Sequence, residues 1–427
     1  TVYPQDSSVQ MTDTILSSFI TWLGATNEYS WSYPTSDVLT AGLNRSIRSE
    51  YFDRFGSNIY DSVLDTTLKQ NTLEFVNYLN PKIWFDFSIS WTRQFDPSVW
   101  AYIKSLADEV RSQPDLSNII LQGYCMEAIN KANINNTPMD RDLWLVIARN
   151  FPEISFRPLQ AKVVNGRRWQ GHWFDYDLML GVGVDLWGTD SSVPNLNKQE
   201  ALLYYLYLAK SYIDAGMNDI SFAQPQKTFG QDRGEYHYGG TNLQLVSRFA
   251  RNYGHYKATP INGERFVICG LSTSYWYLQS YANHINYTRG PAGVSSNRGY
   301  GVTWSSLSDA WNTVPPADIV IPGKPYICEM DNFAVNDQIS TFAKAAPADR
   351  NAFMVDFTAW LLANRGFYMM QPGLEPLPPT GCQNFTGMLT PPQGTSPDWV
   401  WPWPWFFQPF QEYSGFENTA KSIFDSH

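Results

Sequence analysis

Short apolar runs rich in aromatic and β-branched residues recur along this chain, and their number limits the possible folds. Such runs are typical of buried β-strands, and several are separated by helical patterns, as in βαβ units. The runs that we interpret as strands are Ile83–Ile89, Ile119–Tyr124, Ile154–Leu159, Leu180–Leu186, Ile220–Ala223, Phe266–Leu271, Tyr326–Glu329 and Phe367–Met370. Eight parallel-type strands with intervening helices predict an α/β fold, namely a (β/α)8 TIM-type barrel with long loops.

The helical patterns between these runs carry start and stop signals. A helix is predicted for Asp96–Val110, with Pro97 in its first turn, and another for Lys198–Ala215, which is followed by Gly216. Further helices are predicted for Asp140–Asn150, Thr241–Tyr253 and Asp349–Ala363. Between the third and fourth runs, Asn165-Gly166 predicts a hairpin turn instead of a helix.

The 427 residues are enough for one large barrel with an extension. Residues 1–80 contain helical pieces and none of the eight runs, so we expect a helical N-terminal extension packed on the barrel. Residues 81–427 would form the barrel with an aromatic-rich C-terminal segment. An open, doubly wound sheet is the alternative fold.

Composition excludes some functions. Lys and Arg number 30 against 40 Asp and Glu, which gives a net charge of −10, so nucleic acid is not an expected partner. The sequence contains no apolar run long enough to span a membrane. Because it begins with Thr1 and has only 4 cysteines, we expect an extracellular, secreted protein. Its oligomeric state is not predicted.

Polar and aromatic side chains collect where the predicted strands end, which in a barrel is the location of the active site. The residues selected as substrate-binding candidates are Asp86, Arg93, Arg157, Asp185, Trp187, Gln224, Gln226, Trp276, Asp331, Asn332 and Gln371. Carboxylates, amides and guanidinium groups hydrogen-bond sugar hydroxyls, and indole rings stack on the C–H faces of sugars. The set therefore favours a carbohydrate substrate or ligand.

Two glutamates at strand ends are the catalytic candidates. Glycoside hydrolysis uses two carboxyl groups, about 5–5.5 Å apart for retention and about 6.5–9.5 Å for inversion. Glu127 and Glu329 each follow an apolar run, and we expect Glu127 as the general acid and Glu329 as the nucleophile or base. In the predicted numbering they end strands two and seven, which are three steps apart in a closed barrel.

The strand rhythm, and Glu329 in the segment Pro325-Tyr-Ile-Cys-Glu-Met-Asp-Asn332, resemble the superfamily of (β/α)8 glycoside hydrolases. The resemblance implies a nucleophile at Glu329, since members of that superfamily carry their acid/base and nucleophile at strands four and seven. The predicted fourth strand departs from the pattern, because it offers Asp185 without the Asn-Glu pair usual there. No specific family is indicated.

Other interpretations remain open. A mid-strand Asp86 is more often bonded to an arginine than catalytic, and Glu329 could form a buried ion pair with Arg93 or Arg157. The five histidines show no metal-binding spacing, so we expect no metal and no cofactor. The alternative function is a non-catalytic extracellular protein on a barrel scaffold, which binds glycans or forms a surface layer or fibre. A barrel lyase or metal-dependent hydrolase is a third possibility.

Overall fold

The computed structural model describes residues 45–48, 73–74, 76–89, 97–139, 160–164, 167–181, 183–186, 188–222, 225–228, 233–257, 267–271, 285–291, 326–329, 348, 351–352, 354–356, 358–359, 368–369 and 417–426.

A parallel sheet of eight strands forms the centre of the described structure. The strands are β1 (Ser46–Arg48), β2 (Ile83–Ile89), β3 (Ile120–Cys125), β4 (Asp219–Phe222), β5 (Val267–Leu271), β6 (Tyr287–Pro291), β7 (Tyr326–Glu329) and β8 (Tyr368–Met369). Each strand pairs with the next one along the chain, and every pair is parallel.

This strand order excludes the doubly wound alternative. A doubly wound sheet reverses its strand order at a switch point, whereas here the order runs in one direction from β1 to β8. Because βαβ crossovers are right-handed, consecutive crossovers in one direction place all their helices on the same face of the sheet. The fold is therefore a singly wound α/β sheet. Among the described residues, β1 and β8 do not pair with each other.

Six of the predicted strands are confirmed, with small differences at their ends. The predicted strand Leu180–Leu186 is wrong. Gly183 and Asp185 have left-handed φ angles of 87° and 54°, and residues 184–186 form a turn. The sequence does not predict β1, which is only three residues long, or β6, which ends in Gly-Pro. The remaining predicted strand, Ile154–Leu159, lies outside the described residues.

In the part of the chain that the structure describes, the longer helices with defined bounds are α1 (Pro97–Arg111), α2 (Gln199–Asp214), α3 (Arg233–Lys257) and α4 (Glu417–Asp425). The helices predicted for 96–110 and 198–215 are confirmed as α1 and α2, and α3 is longer than predicted. The described residues between 349 and 363 are helical, as predicted, whereas 140–150 lie outside the described residues. The short helices are Pro114–Leu116, Lys131–Ile134, Tyr176–Leu178 and Pro225–Thr228. No helix in the described ranges is long and apolar enough to cross a membrane.

A long insertion, residues 126–198, joins β3 to α2. Gln160–Val164 and Arg167–Trp173 are antiparallel and Val164 pairs with Arg167, as the predicted hairpin requires. The predicted turn residues, Asn165-Gly166, lie outside the described residues. The described residues of the insertion also include the shorter strands Ile129–Asn130, Pro138–Met139 and Ser191–Ser192.

One buried contact fastens this insertion to the body of the protein. His172 Nε2 lies 3.1 and 3.2 Å from the two carboxylate oxygens of Glu200, in the first turn of α2. The backbone N–H of Asp175 donates to the same carboxylate at 2.8 Å. The insertion is therefore anchored where α2 begins, on the side where β3 ends.

The two faces of the sheet differ in chemistry. Leu121 and Cys125 of β3 and Ile220 and Phe222 of β4 belong to the apolar core that includes residues of α1 and α2. The alternate residues of the same strands, such as Gln122 and Asp219, point away from these helices, because side chains alternate along a strand. We call this second face the inner face.

Gly123 of β3 is in close contact with α2. A Cβ atom at Gly123 would lie 2.5, 2.7 and 2.9 Å from Cγ, Cδ1 and Cβ of Tyr212. These distances leave no room for even a methyl group, so only glycine lets the strand and the helix pack this closely.

We expect Gly123→Ala to lower the free energy of unfolding by about 1–3 kcal/mol through overpacking against Tyr212. Urea denaturation measures this change. Combined with Tyr212→Ala, which removes Cγ and Cδ1, the substitution should cost less than the two single changes added together. Additive costs would show that the contact with the Tyr212 ring is not the cause.

Candidate functional site

An ion pair on the inner face connects two strands that lie far apart in the sheet. Arg289 of β6 donates from Nη1 and Nη2 to the two carboxylate oxygens of Asp86 on β2, both at 2.6 Å, and both side chains are 1% exposed. β2 and β6 are four places apart, which would separate them by about 19 Å in a flat sheet with strands about 4.8 Å apart. The sheet must therefore curve strongly with this face inside.

Further polar side chains are hydrogen-bonded to this ion pair through Gln122. Gln122 on β3 accepts from Arg289 Nη1 at 3.2 Å and donates to Asp219 on β4 at 2.7 Å. Gln122 Nε2 also lies 2.9 Å from the Tyr287 hydroxyl, and that hydroxyl donates to Asp219. We call Asp86, Gln122, Asp219, Tyr287 and Arg289 the inner network; all five are at most 1% exposed. Its members come from β2, β3, β4 and β6.

The backbone of β2 is adapted to this network. Trp84 pairs with Leu121 and Ser88 with Gly123, so β2 contains a bulge between these pairs. Asp86 lies in the bulge with φ 53°, in the left-handed region that Asp and Asn tolerate better than most residues. The bulge re-aims Asp86 toward Arg289, which also lies 5.5 Å from the Phe85 ring and 5.4 Å from the Tyr124 ring.

Within the inner network, the carboxyl group of Asp219 has a raised pKa. Burial raises the pKa of its carboxyl group from 3.8 to about 7, against the opposing effect of the hydrogen bonds from Tyr287 and Gln122 and of the charge on Arg289. A buried carboxyl group with such a pKa exchanges its proton near neutrality.

Glu127 lies just beyond the carboxyl end of β3 and is fully buried. Its Oε1 lies 3.6 Å from Nζ of Lys227 on the short helix Pro225–Thr228, which follows β4. The Tyr205 hydroxyl of α2 donates to the backbone oxygen of the preceding residue, Met126, at 3.1 Å. Two neighbouring elements thus fix the position of this glutamate at the carboxyl edge of the sheet.

Glu329 is the last residue of β7, as predicted, and it pairs in register with Pro291 of β6. Because Ile327 pairs with Arg289 and residues two apart share a face, Glu329 occupies a position on the inner face. The strand preceding Glu127 is the third in the sheet and not the second, because β1 precedes it. The two glutamates therefore end strands four places apart, instead of the predicted three.

Asp185 is not at a strand end, because the predicted strand that contained it is a turn. Its backbone N–H donates to Ser192 Oγ at 2.8 Å, and its carboxylate accepts from the backbone N–H of Asp190 at 2.8 Å. The residue is exposed and shapes its own loop. The true fourth strand is β4, which begins with Asp219.

The predicted bond between Asp86 and an arginine is present, with Arg289 as the partner. Gln226 lies in the helix Pro225–Thr228 that carries Lys227. The other predicted substrate-binding residues lie outside the described residues: Arg93, Arg157, Trp187, Gln224, Trp276, Asp331, Asn332 and Gln371. No group of three or more His, Cys, Asp or Glu in the described ranges could hold a metal ion.

Four members of the inner network are missing from the sequence-based prediction. Gln122 is a polar residue within an apolar run, and Asp219 directly precedes the run Ile220–Ala223, so both signals were available. Tyr287 and Arg289 alternate with Asn286 and Thr288, which gives β6 no apolar run to recognise. Sequence alone does not reveal that Tyr287 and Arg289 meet the other members, because β6 is two to four places from the strands that carry them.

The sequence of this chain shows low similarity to known proteins. No protein-family model and no curated protein matches it. Among solved structures, it is similar to Amy13B of Eubacterium rectale, with 10% identity over 93% of this chain and 83% of that chain and a TM-score of 0.44. A GH27 β-L-arabinopyranosidase from Geobacillus stearothermophilus shows 12% identity over 78% and 72%, with a TM-score of 0.38.

An α-galactosidase from Thermus thermophilus shows 11% identity over 60% of this chain, with a TM-score of 0.28. This chain spans 44% of its length, which is less than half. The predicted resemblance to glycoside hydrolases in general, and to no specific family, agrees with these similarities. All three TM-scores are below 0.5.

We expect Asp86→Asn to lower the free energy of unfolding by about 3–5 kcal/mol, because it leaves the Arg289 guanidinium buried without its counter-ion. Asparagine tolerates the left-handed backbone, so strain at position 86 would not be the cause. Chemical denaturation measures the loss. Asp108→Asn, which removes the exposed pair with Lys104, is the control and should have a much smaller effect. Equal effects of the two variants would contradict the importance of burial.

Proposed function

We propose that this protein is a glycoside hydrolase that cleaves a polysaccharide or glycan with two carboxyl groups, Glu127 and Glu329. The observation that carries the proposal is their placement. Both residues lie at the carboxyl ends of strands in one singly wound, curved parallel sheet. In an α/β barrel, this edge carries the active site.

Closure of the sheet into a (β/α)8 barrel is part of the proposal. The one-directional strand order supports it, since a sheet with helices on one face only buries its other face by curling onto itself. The contact between β2 and β6 supports it as well, because it requires strong curvature. In a closed barrel of eight strands, β3 and β7 are opposite each other, so Glu127 and Glu329 would face each other across the mouth.

Within this pair, Glu127 is the general acid and Glu329 is the nucleophile or base, as the sequence predicts. A general acid must hold a proton before the reaction, whereas a nucleophile or base acts in its ionised form. Lys227 Nζ, 3.6 Å from Glu127 Oε1, adds a cationic group to the same edge of the sheet.

The substrate would bind along the carboxyl edge of the sheet. The insertion of residues 126–198 follows the carboxyl end of β3 and contains Glu127, and Gln226 lies on the short helix that carries Lys227. The proposal places the enzyme outside the cell, where polysaccharide substrates occur.

Glu127→Gln and Glu329→Gln should each reduce glycan cleavage by at least about 10²–10⁴-fold, because each amide removes a carboxyl group that the reaction requires. The assay measures reducing ends released from a panel of plant, algal and bacterial polysaccharides. Asp177→Asn, at an exposed carboxylate of the insertion, is the matched control and should keep the activity of the parent protein.

Circular dichroism should show that all three variants are folded. If the parent protein retards glycans in affinity electrophoresis but releases no reducing ends, the non-catalytic glycan-binding function replaces the proposal. If both glutamine variants retain the parent rate, the two glutamates are not the catalytic pair.

A further inference from the structure

The inner network contains more negative than positive charge. Its ionisable groups are the carboxyls of Asp86 and Asp219, the guanidinium of Arg289 and the phenol of Tyr287. With both carboxyls ionised, the network carries a net charge of −1 in a region where all its side chains are at most 1% exposed. An uncompensated buried charge is strongly unfavourable, so one carboxyl group should take up a proton.

The hydrogen bonds indicate which carboxyl group this is. The two carboxylate oxygens of Asp86 accept hydrogen bonds from Nη1 and Nη2 of Arg289. This bidentate contact is the strongest geometry that a counter-ion offers a carboxylate. Asp219 Oδ2 accepts two hydrogen bonds from neutral groups, the Gln122 amide and the Tyr287 hydroxyl. Its buried Oδ1 has no hydrogen-bond partner among the described residues. Asp219 is therefore the less stabilised anion and has an oxygen available for the proton.

We propose that the Asp219 carboxyl group is a proton-binding site inside the sheet, which takes up a proton while Asp86 and Arg289 keep their ion pair, so that the charge of the inner network depends on pH. The ligand is the proton itself, which binds at Oδ1 and neutralises the network. The proposal is independent of glycan cleavage, because none of the five residues is assigned to the reaction.

The pKa of Asp219 agrees with this charge balance, since burial raises it from 3.8 to about 7. The charged and titratable groups that face Asp219 among the described residues are Asp86 on β2 and Tyr287 and Arg289 on β6. The negative charge of Asp86 raises the pKa of Asp219, and the positive charge of Arg289 lowers it. Gln122, from β3, is neutral at every pH and stays a donor.

The raised pKa determines how folding depends on pH. The folded protein holds the Asp219 proton up to about pH 7, whereas the unfolded chain releases it near pH 4. The stabilisation by this proton is complete below pH 4, declines as the pH rises from about 4 to 7, and is absent above that range. Alkaline conditions therefore weaken the contact between β3, β4 and β6.

The direct test is infrared spectroscopy of the parent protein and Asp219→Asn. At pH 6, ordinary surface carboxyls are ionised, so the parent-minus-variant difference spectrum should contain one carboxylic acid C=O band. This band should disappear with a midpoint near pH 7. Asp108→Asn, at an exposed carboxylate, should give no such band. Absence of the band from the Asp219→Asn difference, or a midpoint below pH 5, would overturn the proposal.

The unfolding equilibrium gives an independent readout. Between pH 5 and 8, the unfolding constant of the parent should rise about a hundredfold relative to that of Asp219→Asn. The reason is that unfolding of the parent releases the Asp219 proton, whereas the variant has no such proton to release. Urea denaturation at the two pH values measures the ratio, and a change below about threefold would contradict the proposal.

A second variant covers the case in which Asp219→Asn does not fold. Tyr287→Phe removes a donor that stabilises the ionised form of Asp219, so the midpoint of the infrared band should move up by about one pH unit. An unchanged or lower midpoint would show that the band does not belong to Asp219.

Discussion

The buried pair of Asp86 and Arg289 is the contact on which the shape of the sheet depends. It joins β2 to β6, and no flat arrangement of parallel strands brings these two together. Removing a carboxylate and a guanidinium from water costs several kcal/mol for each ion, and only close, bidentate contact offsets this. The strong curvature of the sheet depends on the ion pair between Asp86 and Arg289. The same ion pair brings polar side chains from four strands into contact on the inner face.

Most of the fold could be predicted from the sequence because strands and helices leave local signals. The runs that became β2, β3 and β7 are apolar and bounded by polar or turn residues, and α1 and α2 have clear ends. The prediction failed where the local signal was misleading. Leu180–Leu186 is as apolar as a strand, but left-handed residues at 183 and 185 turn the chain. β6 is a strand with few apolar residues, because it carries Tyr287 and Arg289 toward the inner face.

The candidate site was less predictable than the fold. The strand-end rule selects Glu127 and Glu329 from their positions alone, but their separation depends on counting every strand. One three-residue strand, β1, changes this separation from three places to four. Glu127 follows β3, whereas Lys227 lies on the short helix that follows β4. No sequence spacing therefore encodes their proximity. The inner network is hidden for the same reason, since Tyr287 and Arg289 come from β6, a strand two to four places from the strands of the other members.

The partners of the Asp86–Arg289 pair are 203 residues apart in the chain. Each hydrogen-bonded step of the sheet joins consecutive strands, so it can form before the rest of the sheet is complete. The ion pair can form only once β2 to β6 stand in their final order. A sheet with a strand missing or misplaced would leave one of the two charges buried alone, at a cost of several kcal/mol. The pair thus penalises incorrectly assembled sheets and selects for the complete one during folding.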